Sequence, residues 1–151
     1  MTAPAARRAR GDLRETPLQS QAVEVLVRLR VEGEPVPKAR ARVVAGHAYT
    51  PTRTKKAEAD MGWLLKSARR GRGPVDGDMY VRLAFGCRPA RRGDLDNLVK
   101  LVLDAANGIV WNDDRQVVYL EAAVAEGVEP HTDLEVLTVA RAAGVQVREE
   151  G

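Results

Sequence analysis

The stretch GDLDNLVKLVLDAANGIVWNDDRQ, Gly93 to Gln116, decides how this chain is read. It carries five aspartates and a single lysine. At about 100° per residue, Asp96, Asn97, Lys100 and Asp104 share one narrow polar arc. Leu95, Leu98, Val99, Leu101, Val102, Leu103, Ala105 and Ala106 fill the remainder. The spacing predicts a helix buried over most of its girth, with one charged stripe in or beside a packed core. Asp94 stands where its carboxylate can cap the first turn. Asn107-Gly108 is a helix stop, because glycine takes a positive φ freely. Asn112-Asp113-Asp114 then reads as a turn before a strand over Gln116–Ala125.

Carboxylates repel one another, so a fold that gathers several needs a cation among them. Hard oxygen donors in small number point to Mg²⁺ rather than zinc, with Mn²⁺ as a substitute. Mg²⁺ held by carboxylates and completed by phosphate oxygens serves enzymes that cut or transfer phosphoryl groups. Each aspartate has an ordinary reading beside this one. Asp94 alone is a helix cap. Asp96, Lys100 and Asp104 form a salt-bridge ladder at i,i+4 spacing. Asp113-Asp114 alone is a solvated turn. Taken together on so apolar a helix, they favour the metal reading.

Outward from this stretch the pattern is strands, helix, strand, helix, strands. Ala22–Val31 alternates as a strand, with Val23, Val25, Val27 and Leu29 on one face. Arg40–Tyr49 reads as a hairpin turning at Ala45-Gly46, and Thr52–Arg70 as a helix opened by Thr50-Pro51. Asp78–Cys87 alternates Met79, Val81, Leu83 and Phe85, and Leu134–Ala140 is the last strand. The expected fold is α/β of the α+β type, a mixed β-sheet of about five strands with two main helices against it. Residues 1–20 form a basic arm with Arg7, Arg8, Arg10 and Arg14, residues 21–141 one domain, and residues 142–151 a tail. Trp63 and Trp111 read as core, with a wedge role between unstacked bases as the alternative for Trp111.

Charge is divided along the chain. Met1–Arg72 holds 16 Lys and Arg against 7 Asp and Glu, whereas Gly73–Gly151 holds 8 against 14. A basic half can hold phosphates while an acidic half holds metal. Lys38, Arg40 and Arg42 are expected on one strand face against DNA phosphates. Arg88, Arg91 and Arg92 stand next to Asp94, where they can hold a phosphate-bearing strand or pair with nearby acids. Aromatics make up only 4% of residues, which favours recognition of backbone and shape over base readout. The single cysteine, Cys87, excludes an internal disulfide and fits a reducing, cytoplasmic setting. His47 and His131 lack zinc-ligand spacing. No apolar run approaches membrane-spanning length, and the basic N-terminus lacks a signal-peptide core.

The acidic string resembles the signature of RusA-type Holliday junction resolvases: Asp-x-Asp-Asn-x-x-Lys-x-x-x-Asp, a short connection, then Asp-Asp-x-Gln. It matches at Asp94, Asp96, Asn97, Lys100, Asp104, Asp113, Asp114 and Gln116. Upstream, Val36-Pro37-Lys38-Ala39-Arg40-Ala41-Arg42 and Gly46-His47-Ala48-Tyr49-Thr50-Pro51 are similar to the family's basic hairpin and helix start. The resemblance implies catalytic aspartates at Asp94, Asp96 and Asp114, which would hold Mg²⁺, and a catalytic lysine at Lys100. Asn97, Asp104, Asp113 and Gln116 take supporting roles. It also implies a homodimer that nicks branched DNA, a four-way junction, symmetrically. Two other readings stand beside it: a nuclease selective for flaps or forks, and a DNA-binding module that does not cut.

Overall fold

The computed structural model describes residues 22–40 and 42–140, with Arg42 described in its backbone only. The arm at Met1–Ser20 and the tail at Ala142–Gly151 lie outside the described residues. Strands β1 (Ala22–Glu32), β4 (Met79–Cys87), β5 (Val117–Glu126) and β6 (His131–Val139) form one mixed sheet in the order β1-β6-β4-β5. Only the β4–β5 pair is parallel. The hairpin strands β2 (Arg42–Val44) and β3 (His47–Tyr49) pair with each other in a separate small sheet. The mixed α+β class is therefore as expected, with four strands in the main sheet and the hairpin standing apart from it.

The hairpin turns where the sequence places it. Ala45 and Gly46 have φ of 51° and 81°. Two consecutive positive φ values are what a tight two-residue turn requires, and the alanine is strained there. Among the flanking side chains, Val43 and Val44 are exposed.

Helices α1 (Thr52–Ala68) and α2 (Leu95–Ala106) cover one face of the main sheet. Strand β4 supplies Met79, Val81, Leu83 and Phe85 to the core, as its alternation predicts. Met61 and Leu65 of α1 and Leu98, Leu101, Val102 and Ala105 of α2 close over them. Strand β1 departs from its simple alternation. Val27 is buried, but Val23 and Val25 are exposed. The register slips twice near its start, between Ala22 and Val25 and again before Val27, and such slips move side chains off the buried face. On the face away from the helices, Arg28, Glu135, Arg82 and Glu121 alternate charge across the four strands, with contacts of 2.8–3.5 Å. No described helix is long and apolar enough to cross a membrane.

The parallel pairing of β4 and β5 positions everything that follows. Two parallel neighbours cannot be joined by a tight turn, so the chain must return along the sheet between them. Helix α2 is that return. Its start lies where β4 ends and its end lies where β5 begins.

Candidate active site along the acidic helix

Helix α2 is built as its periodicity predicts. Leu98, Val99, Leu101, Val102, Ala105 and Ala106 are buried. The stripe of Asp96, Lys100 and Asp104 runs along the outer side, and Gly108 takes a φ of 78° just past the end. One expectation fails at the start. Asp94 occupies the cap position with extended backbone, but its side chain makes no capping hydrogen bond. Its carboxylate is therefore not consumed by the helix. Asp96, in the first turn, is exposed and favoured there by the helix dipole. Neither Asp94 nor Asp96 forms an ion pair with a described residue.

The other end of the stripe is in the opposite state. Asp104 accepts from Lys100 Nζ at 2.9 Å through Oδ1, and meets Lys38 Nζ at 2.8 Å through Oδ2. Lys38 also donates to Glu58 Oε1 of α1 at 3.0 Å. Burial would raise the Asp104 carboxyl's pKa, but the hydrogen bonds from Lys38 and Lys100 outweigh it and hold the group below the usual carboxylate range. Burial likewise opposes the charge on Lys38, and its bonds to Asp104 and Glu58 prevail and raise its pKa.

This corrects the place given to Lys38. It does not stand on a strand face with Arg40 and Arg42. It lies half-buried in an irregular segment whose backbone N–H donates to the Asn97 carbonyl at 2.9 Å. Pro35 and Pro37 keep that segment out of strand pairing, and the ammonium reaches the two helices instead. Arg40 is exposed and also outside a strand, and the side chain of Arg42 lies outside the described residues. Glu58, which the sequence reading passed over, is the fourth member of this cluster. It is remote in sequence from Asp104 and carries no local signal.

Past α2, the acidic turn is held by its own amides. Gln116 Oε1 accepts from the N–H groups of Asn112 and Asp113 at 2.8 and 3.2 Å. Its Nε2 donates to the carbonyls of Val75 and Gly77 at 2.8 and 2.9 Å. Asp113 Oδ1 accepts from Arg115 N at 2.9 Å, closing a capping box over the single 3₁₀ turn that follows. Asn112 ties the turn to Asp76 at 2.7 Å. Asp113 and Gln116 thus hold the turn's backbone in place. Asp114, half-buried beside them, has no ion-pair partner among the described residues.

The single chain does not bring all the expected metal ligands together. Asp94 occupies the cap position at the start of α2 and Asp96 lies in its first turn, whereas Asp113 and Asp114 follow its end. The helix has 12 residues, a length of about 18 Å at 1.5 Å per residue. Among the described residues, no group of three or more His, Cys, Asp or Glu is placed to hold a metal ion. The donor chemistry at the Asp94 end still fits Mg²⁺: Asp94 and Asp96 are carboxylates without an ion-pair partner among the described residues, and Mg²⁺ commonly takes one or two protein carboxylates with water and phosphate oxygens.

The arginines divide. Arg88 pairs with Glu34, Nε to Oε1 at 3.5 Å. Arg91 and Arg92 are exposed in the loop before Asp94 and form no ion pair with a described residue. The tryptophans also divide. Trp111 is core, with its Nε1 donating to Asn107 Oδ1 at 2.8 Å, so it is not free to act as a wedge. Trp63, expected in the core, is 69% exposed.

A model of the family described as Endodeoxyribonuclease RusA matches residues 32–137. That span takes in both helices, the acidic stripe and most of the sheet. No curated protein matches the chain.

Proposed function

The chain belongs to the RusA family of endodeoxyribonucleases, and from that premise we propose that it is a Mg²⁺-dependent resolvase of four-way DNA junctions, acting as a homodimer. The observation that carries this reading is the unequal treatment of carboxylates along one helix. Asp104 is neutralised by two lysines, whereas Asp94, Asp96 and Asp114 have no ion-pair partner among the described residues. Unpaired carboxylates repel the DNA backbone and lower affinity. A protein that only binds DNA gains nothing from them, but a hydrolase does.

Mg²⁺ bound by these carboxylates would lower the pKa of an attacking water and offset charge on the cleaved phosphate. Lys100 contributes from the protein itself. Its ammonium donates one hydrogen bond to Asp104 and keeps two donors for other acceptors. Asp104, fixed in turn by Lys38, positions Lys100 one helical turn from Asp96. From there its charge can stabilise the extra negative charge that the phosphate gains in the transition state. Arg91 and Arg92 can hold phosphates of the same strand beside Asp94.

Two copies answer two requirements at once. Resolving a junction takes two opposed nicks, and a four-way junction has approximate two-fold symmetry that a two-fold dimer matches. A pairing that sets the Asp114 end of one chain against the Asp94 end of another would also reunite carboxylates that α2 holds apart within one chain. Mixing Asp96→Asn protein with Asp114→Asn protein tests this. Sites shared between chains predict that each mixed dimer regains one intact site, so cutting returns in the mixture although neither variant cuts alone. Sites contained within single chains predict no recovery. Sedimentation of the wild type should give about twice the 16.5 kDa chain mass, and a monomer with and without junction DNA would overturn the resolvase reading.

A further inference from the structure

The indole of Trp63 is exposed and lies outside the hydrophobic core. The buried side of α1 carries Thr54, Met61 and Leu65. Trp63 is two residues beyond Met61, about 200° around the helix, and so faces away. Its neighbourhood is basic. Between Arg53 and Arg72 the chain has seven Arg and Lys against two acids, and of the seven only Arg69 is buried. An aromatic surface of this size left in water among cations is the pattern of a platform for stacked bases. The cations hold the backbone while the ring takes the base.

The surface beside Trp63 has a fitting shape and place. An open groove of about 440 Å³ runs between α1 and the end of α2, lined by Lys55, Glu58, Trp63, Lys66, Asp104 and Ile109. Gly62 lies on its floor, where a Cβ would come within 3.2 Å of Ile109 Cδ1, so no larger side chain fills it. Asp104 belongs both to this groove and to the stripe that holds Lys100. It follows Asp96 by eight positions, about 12 Å along the helix.

We propose that Trp63 stacks on a base of the bound DNA, away from the phosphate that is cut, and that this contact favours branched DNA over plain duplex. A base at or near a branch point can leave its stack at little cost, whereas a base inside a continuous duplex cannot. Trp63 is in this view a specificity residue and takes no part in the chemistry. The proposal rests on the reading of the chain as a nuclease of branched DNA.

The test is a titration of the wild type, Trp63→Phe and Trp63→Ala with a four-way junction and with a matched duplex, following tryptophan emission and affinity. The wild-type emission should change on binding the junction. That of Trp63→Phe, which keeps only the buried Trp111, should not. Trp63→Ala should bind the junction about 5- to 100-fold more weakly, Trp63→Phe should recover most of that loss, and affinity for duplex should move little. Equal junction affinity for Trp63→Ala and wild type, or an undiminished signal in Trp63→Phe, would overturn the proposal. So would a Trp63→Ala protein that sediments lighter than the wild type without DNA, since the indole would then belong to a contact between copies. Mg²⁺-dependent cutting of the same junction by the wild type tests the underlying nuclease reading separately. If the wild type cuts while Trp63→Ala binds equally well, the stacking role alone is wrong. If the wild type neither binds nor cuts, both are.

Discussion

Asp96 and Asp104 lie on the same stripe of one helix, two turns apart, and the fold treats them in opposite ways. Asp104 is mostly buried, is held by Lys38 and Lys100, and titrates below the usual range. Asp96 is exposed and has no ion-pair partner among the described residues. Sequence spacing alone makes the two equivalent. The difference comes from what packs against each end of α2: Lys38, from an irregular segment and itself held by Glu58 of α1, reaches Asp104, and no cation among the described residues pairs with Asp96. A carboxylate whose charge is already met serves structure and positions its neighbours. One whose charge is unmet is available to a cation.

Substitutions at the two ends should therefore break different things. The largest effect is expected from Asp96→Asn, which keeps the shape and removes the charge. Cutting should fall by several kcal/mol of transition-state stabilisation, on the order of 10³-fold. Melting temperature should be unchanged, and junction affinity equal or higher as repulsion is relieved. Cleavage by Asp96→Asn at the parental rate would remove the proposed site. Next, Lys100→Ala should lower the single-turnover rate about 100-fold with little change in affinity. Lost affinity at an unchanged rate would recast Lys100 as a phosphate-holding residue, and a large drop in melting temperature would make it structural.

The paired end should respond in stability. Asp104→Asn leaves Lys38 with Glu58 alone and costs about 1–2 kcal/mol, between the values for surface and buried ion pairs. The pH dependence has a definite sign. Because the folded state lowers the Asp104 pKa, its contribution is fully present above the unfolded carboxyl value, about 3.9. It is lost as pH falls through the lower folded value. Denaturant curves for wild type and Asp104→Asn should thus differ at neutral pH and converge in acid. A constant gap at all pH would show that packing, not charge, is responsible. The smallest effect is expected away from both ends. Replacing Arg40 and Arg42 together by Ala should reduce the slope of log affinity against log salt by up to about 2, with melting unchanged. An identical slope would count against phosphate contact there.

Much of this arrangement was legible in the sequence, and the misses have identifiable causes. The α2 stripe, its buried positions, its glycine stop and the Ala45-Gly46 turn all follow from local chemistry and stand as read. Strand order is not local. The sequence names Asp94, Asp96 and Asp114 as a set, but it does not show that β4 and β5 are parallel neighbours, which places α2 between Asp94 and Asp114 along the chain. Lys38 was misplaced because alternation with Arg40 and Arg42 suggested a strand, while Pro35 and Pro37 argue against one. Trp63 was misplaced by residue type, although helical spacing from Met61 and Leu65 already puts it on the outer side of α1. Glu58 was beyond reach, since only tertiary packing brings it to Lys38.

The account depends most directly on the claim that the unpaired carboxylates make a metal-dependent site for cutting branched DNA. The decisive measurement is to incubate wild-type protein with a mobile four-way junction labelled in turn on each strand, with Mg²⁺ and with chelator, and to map every cut. The account predicts symmetric nicks in two opposed strands with Mg²⁺ and none with chelator. Cutting that persists without a divalent cation, or that is confined to one strand, would contradict it.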